Sequence, residues 1–155
     1  IVMKAKQMRE LVIKPALERI DLAGEPAETL LLATACVESR CGAAIKQWPS
    51  GPALGIFQIE PATYHDLQCN FLEYRPELKG KLMALYCEGM TAEQNLTCNL
   101  IFQAAVCRLI YLRAPEKIPE TLSGMAAYWK RFYNTPAGKG TEAKFLEAYG
   151  RYGIE

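Results

Sequence analysis

The sequence contains a single histidine, His65, only two aspartates, Asp21 and Asp66, and no Cys-x-x-Cys pair among its six cysteines. A zinc centre needs several closely spaced thiolate or imidazole ligands, so this scarcity excludes the usual Cys/His kind. No metal and no cofactor are expected. No run approaches the ~18 apolar residues of a membrane span; the longest island, residues 30–35, is broken by Thr34. The chain is therefore not expected to span a membrane. Basic runs never exceed the dipeptide Lys130-Arg131, and 18 Lys and Arg stand against 17 Asp and Glu for a net charge of +1. That balance argues against a strongly basic nucleic-acid surface. Also missing is the alternation of apolar and polar residues, rich in β-branched side chains, that a sheet requires. Finally, no apolar signal core follows Lys4 and Lys6, which implies synthesis in the cytoplasm and delivery elsewhere by another route.

What is present is an ordinary globular composition: 155 residues, 50% hydrophobic and 23% charged. A chain of this length buries roughly 68–70% of its unfolded surface, enough for one domain over residues 1–155 without metals or staples. It is expected to be a monomer in isolation. The cysteines are accordingly read as free thiols ahead of a disulfide framework, with Cys36, Cys98 and Cys107 acting as small hydrophobes inside apolar helical stretches.

Helical spacing dominates. Met8, Leu11, Val12, Ala16 and Ile20 form one stripe over residues 3–20, with Pro15 either kinking that helix or opening a second. Residues 27–40 are apolar on nearly all sides and read as a central helix with Glu38 in its last turn. Residues 41–59 turn to Gly, Pro and Ser, a loop with one short hairpin. Further helices are predicted over 61–70, opened by Pro61, and over 76–87. The Thr91/Gln94 capping box predicts a long core helix over 91–113. A helix over 119–132 and a last one from the cap Thr141 to about residue 150 complete a mainly α chain.

Glu38 is the leading candidate for chemistry. A carboxyl at the end of so apolar a helix is partly desolvated, and desolvation moves its pKa toward the value a general acid needs near neutrality. The competing reading is a solvated helix end beside Arg40. Downstream, the glycine-bearing segment Gly51-Pro52-Ala53-Leu54-Gly55-Ile56-Phe57-Gln58 lets a polymer lie close to the backbone, with Gln58 as an amide donor and acceptor and Phe57 as an apolar wall. Glu60, just before Pro61, suits the positive end of the next helix. His65 has neither a nucleophile pattern nor metal partners and receives no role; Trp48 and Trp129 offer faces on which sugar rings can stack, Trp48 as a subsite contact outside the chosen site residues, although aromatics at helical spacing are usually core.

The order Glu38-Ser39, then Gly55-Ile56-Phe57-Gln58-Ile59 with Pro61 and Thr63, then Asn95-Leu96, then Tyr133-Asn134 before a glycine loop, resembles the soluble lytic transglycosylases and goose-type lysozymes. The resemblance covers residues 30–145. It implies a lysozyme-like helical fold whose cleft binds peptidoglycan glycan strands and cleaves the β-1,4 bond between N-acetylmuramic acid and N-acetylglucosamine. On that resemblance Glu38 is the general acid, Ser39 positions it, Phe57 and Gln58 line the sugar cleft, Tyr133 hydrogen-bonds near Glu38, and Asn134 sits in the same wall. The sequence departs from the pattern where Phe57 replaces a frequent methionine, where Thr135-Pro136-Ala137 delays the glycine after Tyr133-Asn134, and where Ser50-Gly51-Pro52 compresses the segment before Gly55. The stretch from Tyr128 to Thr141 looks most like versions carried by bacteriophage virions, which implies delivery by a phage particle, action in the periplasm or cell wall, and other virion or envelope-penetrating proteins as partners.

The family includes two mechanisms. A lytic transglycosylase uses one glutamate as acid and then base while the muramyl 6-hydroxyl attacks, giving 1,6-anhydro ends, and this is the preferred expectation with Glu38 alone. The alternative is a hydrolytic muramidase in which Glu60 helps to activate water. A non-catalytic wall-binding or virion structural module would instead show an exposed, salt-bridged Glu38 of ordinary acidity. An unrelated helical interaction domain would not bring Glu38, Gln58 and Tyr133 together.

Overall fold

The run Leu30-Leu31-Leu32-Ala33 has no polar face to offer solvent, and in the computed structural model, which describes residues 3–154, all four side chains are buried. They belong to α3 (Glu25–Ser39), which follows α1 (Ala5–Met8) and α2 (Lys14–Arg19). It packs against α7 (Leu100–Leu112), against α9 (Glu142–Ala148) and against the π-helical turn Tyr149–Gly153 that prolongs α9. Around this centre lie α4 (Pro61–Asn70), α5 (Pro76–Met83), α6 (Ala92–Cys98) and α8 (Leu122–Trp129). Among the described residues there is no strand, only the isolated antiparallel bridges Lys46 to Leu54 and Leu54 to Ile59. The chain is mainly helical, as expected, with the short hairpin in the predicted loop.

Several boundaries differ from the sequence reading. Residues 5–19 form one helical path, but Arg9–Ile13 is a π turn immediately before Pro15, whose nitrogen has no hydrogen to donate to the preceding turn. The extra residue rotates the stripe, so Ile13 and Leu17 are fully buried while Leu11, expected in the core, is 65% exposed. The long helix expected over 91–113 is two helices, α6 and α7, that meet at 99°. Asn99 makes the break: its backbone is extended, its Oδ1 accepts from Phe102 N at 3.2 Å to cap α7, and its Nδ2 donates to Leu85 O at 2.8 Å. Thr91 and Gln94 form the anticipated capping box at the start of α6. The bend leaves Cys98 exposed, a correction to its assignment as a core thiol; Cys36, Cys41 and Cys107 are buried. The helix placed over 119–132 begins only at Leu122, where Thr121 caps it, and passes into a second π turn, Lys130–Asn134. The one predicted over 76–87 stops at Met83. Among the described residues no single helix is long and apolar enough to cross a membrane.

Candidate functional site

The end of α3 is stopped by backbone conformation. Arg40 and Cys41 both take positive φ, 53° and 57°, and Cys41 N donates to Ala35 O while Arg40 N donates to Cys36 O, a Schellman-type closure achieved without glycine. Such conformations cost of order 1 kcal/mol each and persist only where the surroundings hold them. The holding is visible. Ser39 is buried, and its Oγ donates to Ile56 O at 2.7 Å and accepts from Gly42 N at 2.9 Å, fastening the helix end to the hairpin tip 55–58.

That tip is built as tightly. Leu54 and Ile59 exchange backbone hydrogen bonds across it, and Ile56 N donates to Oε1 of the buried Gln103 at 2.9 Å. Gly55 has φ +77°, and a Cβ there would lie 2.1 Å from Leu96 O and 2.2 Å from Gln103 Oε1, so no other residue fits. Gln58 also has positive φ, and its Nε2 donates to Gly55 O at 2.8 Å. Phe57 was expected to line the cleft, but its ring is fully buried in the core. With Ile56 and Ile59 also buried, the residues around Gln58 are anchors, and Gln58 faces outward.

The third wall comes from the π turn. Tyr133 stacks on Tyr111 with ring centroids 5.0 Å apart, and its hydroxyl donates to Phe57 O at 2.6 Å. The expected bond of Tyr133 near Glu38 is therefore made to the hairpin carbonyl. Burial holds the Tyr133 hydroxyl well above its ordinary pKa, so it remains a neutral donor. Asn134 Oδ1 accepts from Lys130 Nζ at 2.7 Å, and the same Nζ donates to Gly138 O at 2.8 Å, which folds the glycine loop back against Trp129.

These elements enclose a cleft of about 950 Å³ whose walls include Glu38, Ser39, Gln58, Glu60, Tyr133 and Asn134. Six of the seven residues singled out from sequence thus share one concavity, and Phe57 is not among its lining residues. Glu38 is half-buried and forms no ion pair among the described residues. Desolvation pushes its carboxyl up to about 7, opposed by a hydrogen bond from Trp129 Nε1 to Oε1 at 3.0 Å. Glu60 is exposed at the first turn of α4, where its carboxylate makes no capping hydrogen bond. No protein-family model, curated protein or solved structure matches the chain.

Trp129 was missed as a site residue. It is 1% exposed and packs on Phe145, which fits the core reading, but its N–H also needs a partner and finds the Glu38 carboxylate. The available signal was spacing: Trp129 lies four residues before Tyr133, on the same helical face. Gln103, buried on α7, was also passed over. His65 lies on α4, 3.6 Å from Cys69 Sγ, and no group of three or more His, Cys, Asp or Glu side chains is placed to hold a metal among the described residues.

Proposed function

We propose that this chain is a peptidoglycan glycosidase with a lysozyme-like fold that cleaves the β-1,4 bond between N-acetylmuramic acid and N-acetylglucosamine, with Glu38 as its acid. The observation that carries the reading is a half-buried carboxyl without an ion pair among the described residues, pushed up to about 7 by desolvation, in the wall of a cleft it shares with Gln58 and Tyr133. Two opposing influences suit Glu38 to a proton relay. Burial favours the acid that protonates a leaving glycosidic oxygen, while the Trp129 N–H stabilises the carboxylate left behind. That carboxylate then accepts the proton of the muramyl 6-hydroxyl as it attacks the anomeric carbon, closing a 1,6-anhydro ring. One carboxylate suffices for both steps. A non-catalytic module predicts an exposed, ion-paired Glu38, and an unrelated helical domain predicts no convergence of Glu38, Gln58 and Tyr133; the arrangement favours neither.

A hydrolytic outcome is the second reading, supported by Glu60, whose carboxylate lines the same cleft and is not engaged in capping α4. Digestion of purified peptidoglycan by the wild-type chain and by Glu38→Gln, with mass spectrometry of the released muropeptides, separates the cases. Anhydro ends that disappear in the variant support the transglycosylase, reducing ends support hydrolysis with Glu60, and no release from either chain overturns the enzymatic reading.

A further inference from the structure

We propose that the chain carries a second ligand site, separate from the cleft, in which Arg108 binds an organic carboxylate with an apolar body. The site is a pocket of about 410 Å³ between the start of α3, the end of α7 with the turn that follows it, and α8. It shares no lining residue with the cleft. Glu38 stands at the other end of α3, about 20 Å along the helix axis, so the proposal does not depend on the glycosidase reading.

Arg108 is the one charged residue on α7, and its charge is not matched locally. The side chain is half-buried, its Nε is sealed from solvent without a hydrogen-bond partner, and among the described residues it enters no ion pair. Burial lowers its pKa, but a guanidinium keeps its proton at any physiological pH. The groups around it supply no countercharge. Burial holds the Cys107 thiol and the Tyr128 hydroxyl above their ordinary pKa values, so both stay neutral, and Tyr128 Oη donates to Glu116 O at 3.0 Å and to Tyr111 O at 3.3 Å. Glu116, the one carboxylate among the described lining residues, is paired with Arg131 at 2.7 Å. A half-buried cation without a partner destabilises the fold, and a carboxylate accepting two parallel bonds from the guanidinium fork removes that penalty.

Two further features define the ligand class. Gly24 precedes α3 with no side-chain cap, and Pro26 and Ala27 of its first turn line the pocket, so the positive end of a fifteen-residue helix adds to Arg108 in favouring an anion. Lys117 stands exposed on the rim. Most of the remaining lining is apolar, with Leu22, Ala27, Leu112 and Ile118 contributing, which suits an aliphatic or aromatic group and not a sugar or a phosphate dianion. The volume is at the small end for ligand sites and fits about one amino-acid side chain with its carboxylate. A free N-acyl apolar amino acid and the last residue of a peptide ending in an apolar side chain present this same chemistry.

The test titrates the whole chain, labelled with nitrogen-15, with N-acetyl-leucine and its neutral amide, with a short peptide ending in leucine as free acid and as C-terminal amide, and with inorganic phosphate. N-acetyl-leucine should bind with a Kd of about 1 mM. It should move the Arg108 Nε–H resonance and the backbone amides of Gly24, Ala27 and Leu112 while leaving those of Glu38 and Gln58 in place. Each amide should bind at least about tenfold more weakly than its acid, and Arg108→Gln should weaken binding of the acid about tenfold. That variant removes an unpaired half-buried charge and should fold at least as stably as wild type; the wild-type resonance map locates the site independently of it. Binding of either acid, or of both, with this pattern supports the proposal and tells a free acid from a chain terminus as the source. Equal shifts from acid and amide, shifts centred on Glu38 and Gln58, phosphate binding as tightly as the acids, no shift at about 10 mM, or an unchanged Kd in Arg108→Gln overturns it.

Discussion

Replacing Glu38 by Gln should make the folded chain more stable, and only at neutral and alkaline pH. The carboxyl has an ordinary pKa of 4.5 and is pushed up to about 7 by burial in the fold. Below pH 4.5 the group is protonated folded or unfolded, and Gln is nearly its isostere. Between 4.5 and 7 the folded chain holds a proton that the unfolded chain has shed, so wild-type stability falls as pH rises; above 7 the full penalty of a desolvated anion applies. At 1.36 kcal/mol per unit the ceiling is about 3.4 kcal/mol. Partial solvent access screens the charge, which makes about 2 kcal/mol the working figure. For a domain of this size that corresponds to a Tm gain of about 4–8 °C. Thermal melts followed by circular dichroism at pH 4, 5.5, 7 and 8.5, at constant ionic strength, read the difference between the two chains, in which every other titrating group cancels. The Trp129 N–H still finds an oxygen in the variant, so the core is not perturbed. A Tm difference that stays flat from pH 4 to 8.5, or a variant less stable than wild type at pH 8.5, would refute a half-buried acid of raised pKa.

Trp129→Phe removes the one hydrogen bond that lowers the Glu38 pKa, so the carboxyl should titrate at still higher pH and the alkaline limb of any activity profile should move upward; urea unfolding should record a loss of about 2 kcal/mol from the missing ring volume and bond. Tyr133→Phe keeps the stack on Tyr111 but loses the donor to Phe57 O, costing about 1 kcal/mol of stability and, through the loosened hairpin tip, roughly tenfold in turnover, readable as a kcat effect with little change in KM. Gly55→Ala places a Cβ against Leu96 O and Gln103 Oε1 at positive φ, and the urea midpoint should fall by an amount equivalent to about 2–4 kcal/mol; an unchanged midpoint would mean that the tip can move.

Local rules with a strong energetic preference were readable from the sequence. Pro61 opens α4, Thr91 and Gln94 cap α6, Thr141 caps α9, and the all-round apolar face of residues 30–35 marks the central helix and thereby places Glu38 at its buried end. What escaped depends on tertiary partners. The hydrophobic period runs through Asn99 without a gap, and only the polar contacts with Leu85 and Asn95 make that asparagine a corner. A five-residue π turn, Arg9–Ile13, ahead of Pro15 was enough to put Leu11 outside and Ile13 inside. Phe57 and Gln58 are neighbours in a four-residue tip, and which of them faces the cleft follows from the positive φ at Gln58 and the anchoring of Ile56 by Gln103, neither of which has a sequence period. A tryptophan donor to Glu38 is hidden for a related reason: Trp129 satisfies the core pattern completely, and the carboxylate it serves lies 91 residues away in the chain.

The site also explains why stability and function should separate at one residue and not at its neighbours. Ser39, Gln103 and Tyr133 each hold the hairpin tip with a buried or part-buried hydrogen bond, Ser39 from the end of α3, so removing any of them weakens fold and cleft together. Loss of activity in such variants says little about chemistry. Glu38 is different: it supports no backbone group, and its desolvated carboxyl destabilises the fold whenever it ionises. A residue retained only for packing would not carry that cost, whereas an acid that must give and take a proton near neutrality requires it. Among single substitutions in this cleft, Glu38→Gln should therefore be the one that raises Tm at pH 8.5 while abolishing muropeptide release. Should it raise Tm and leave release intact, the raised acidity would stand as a structural property, and the proton donor would have to be sought at Glu60.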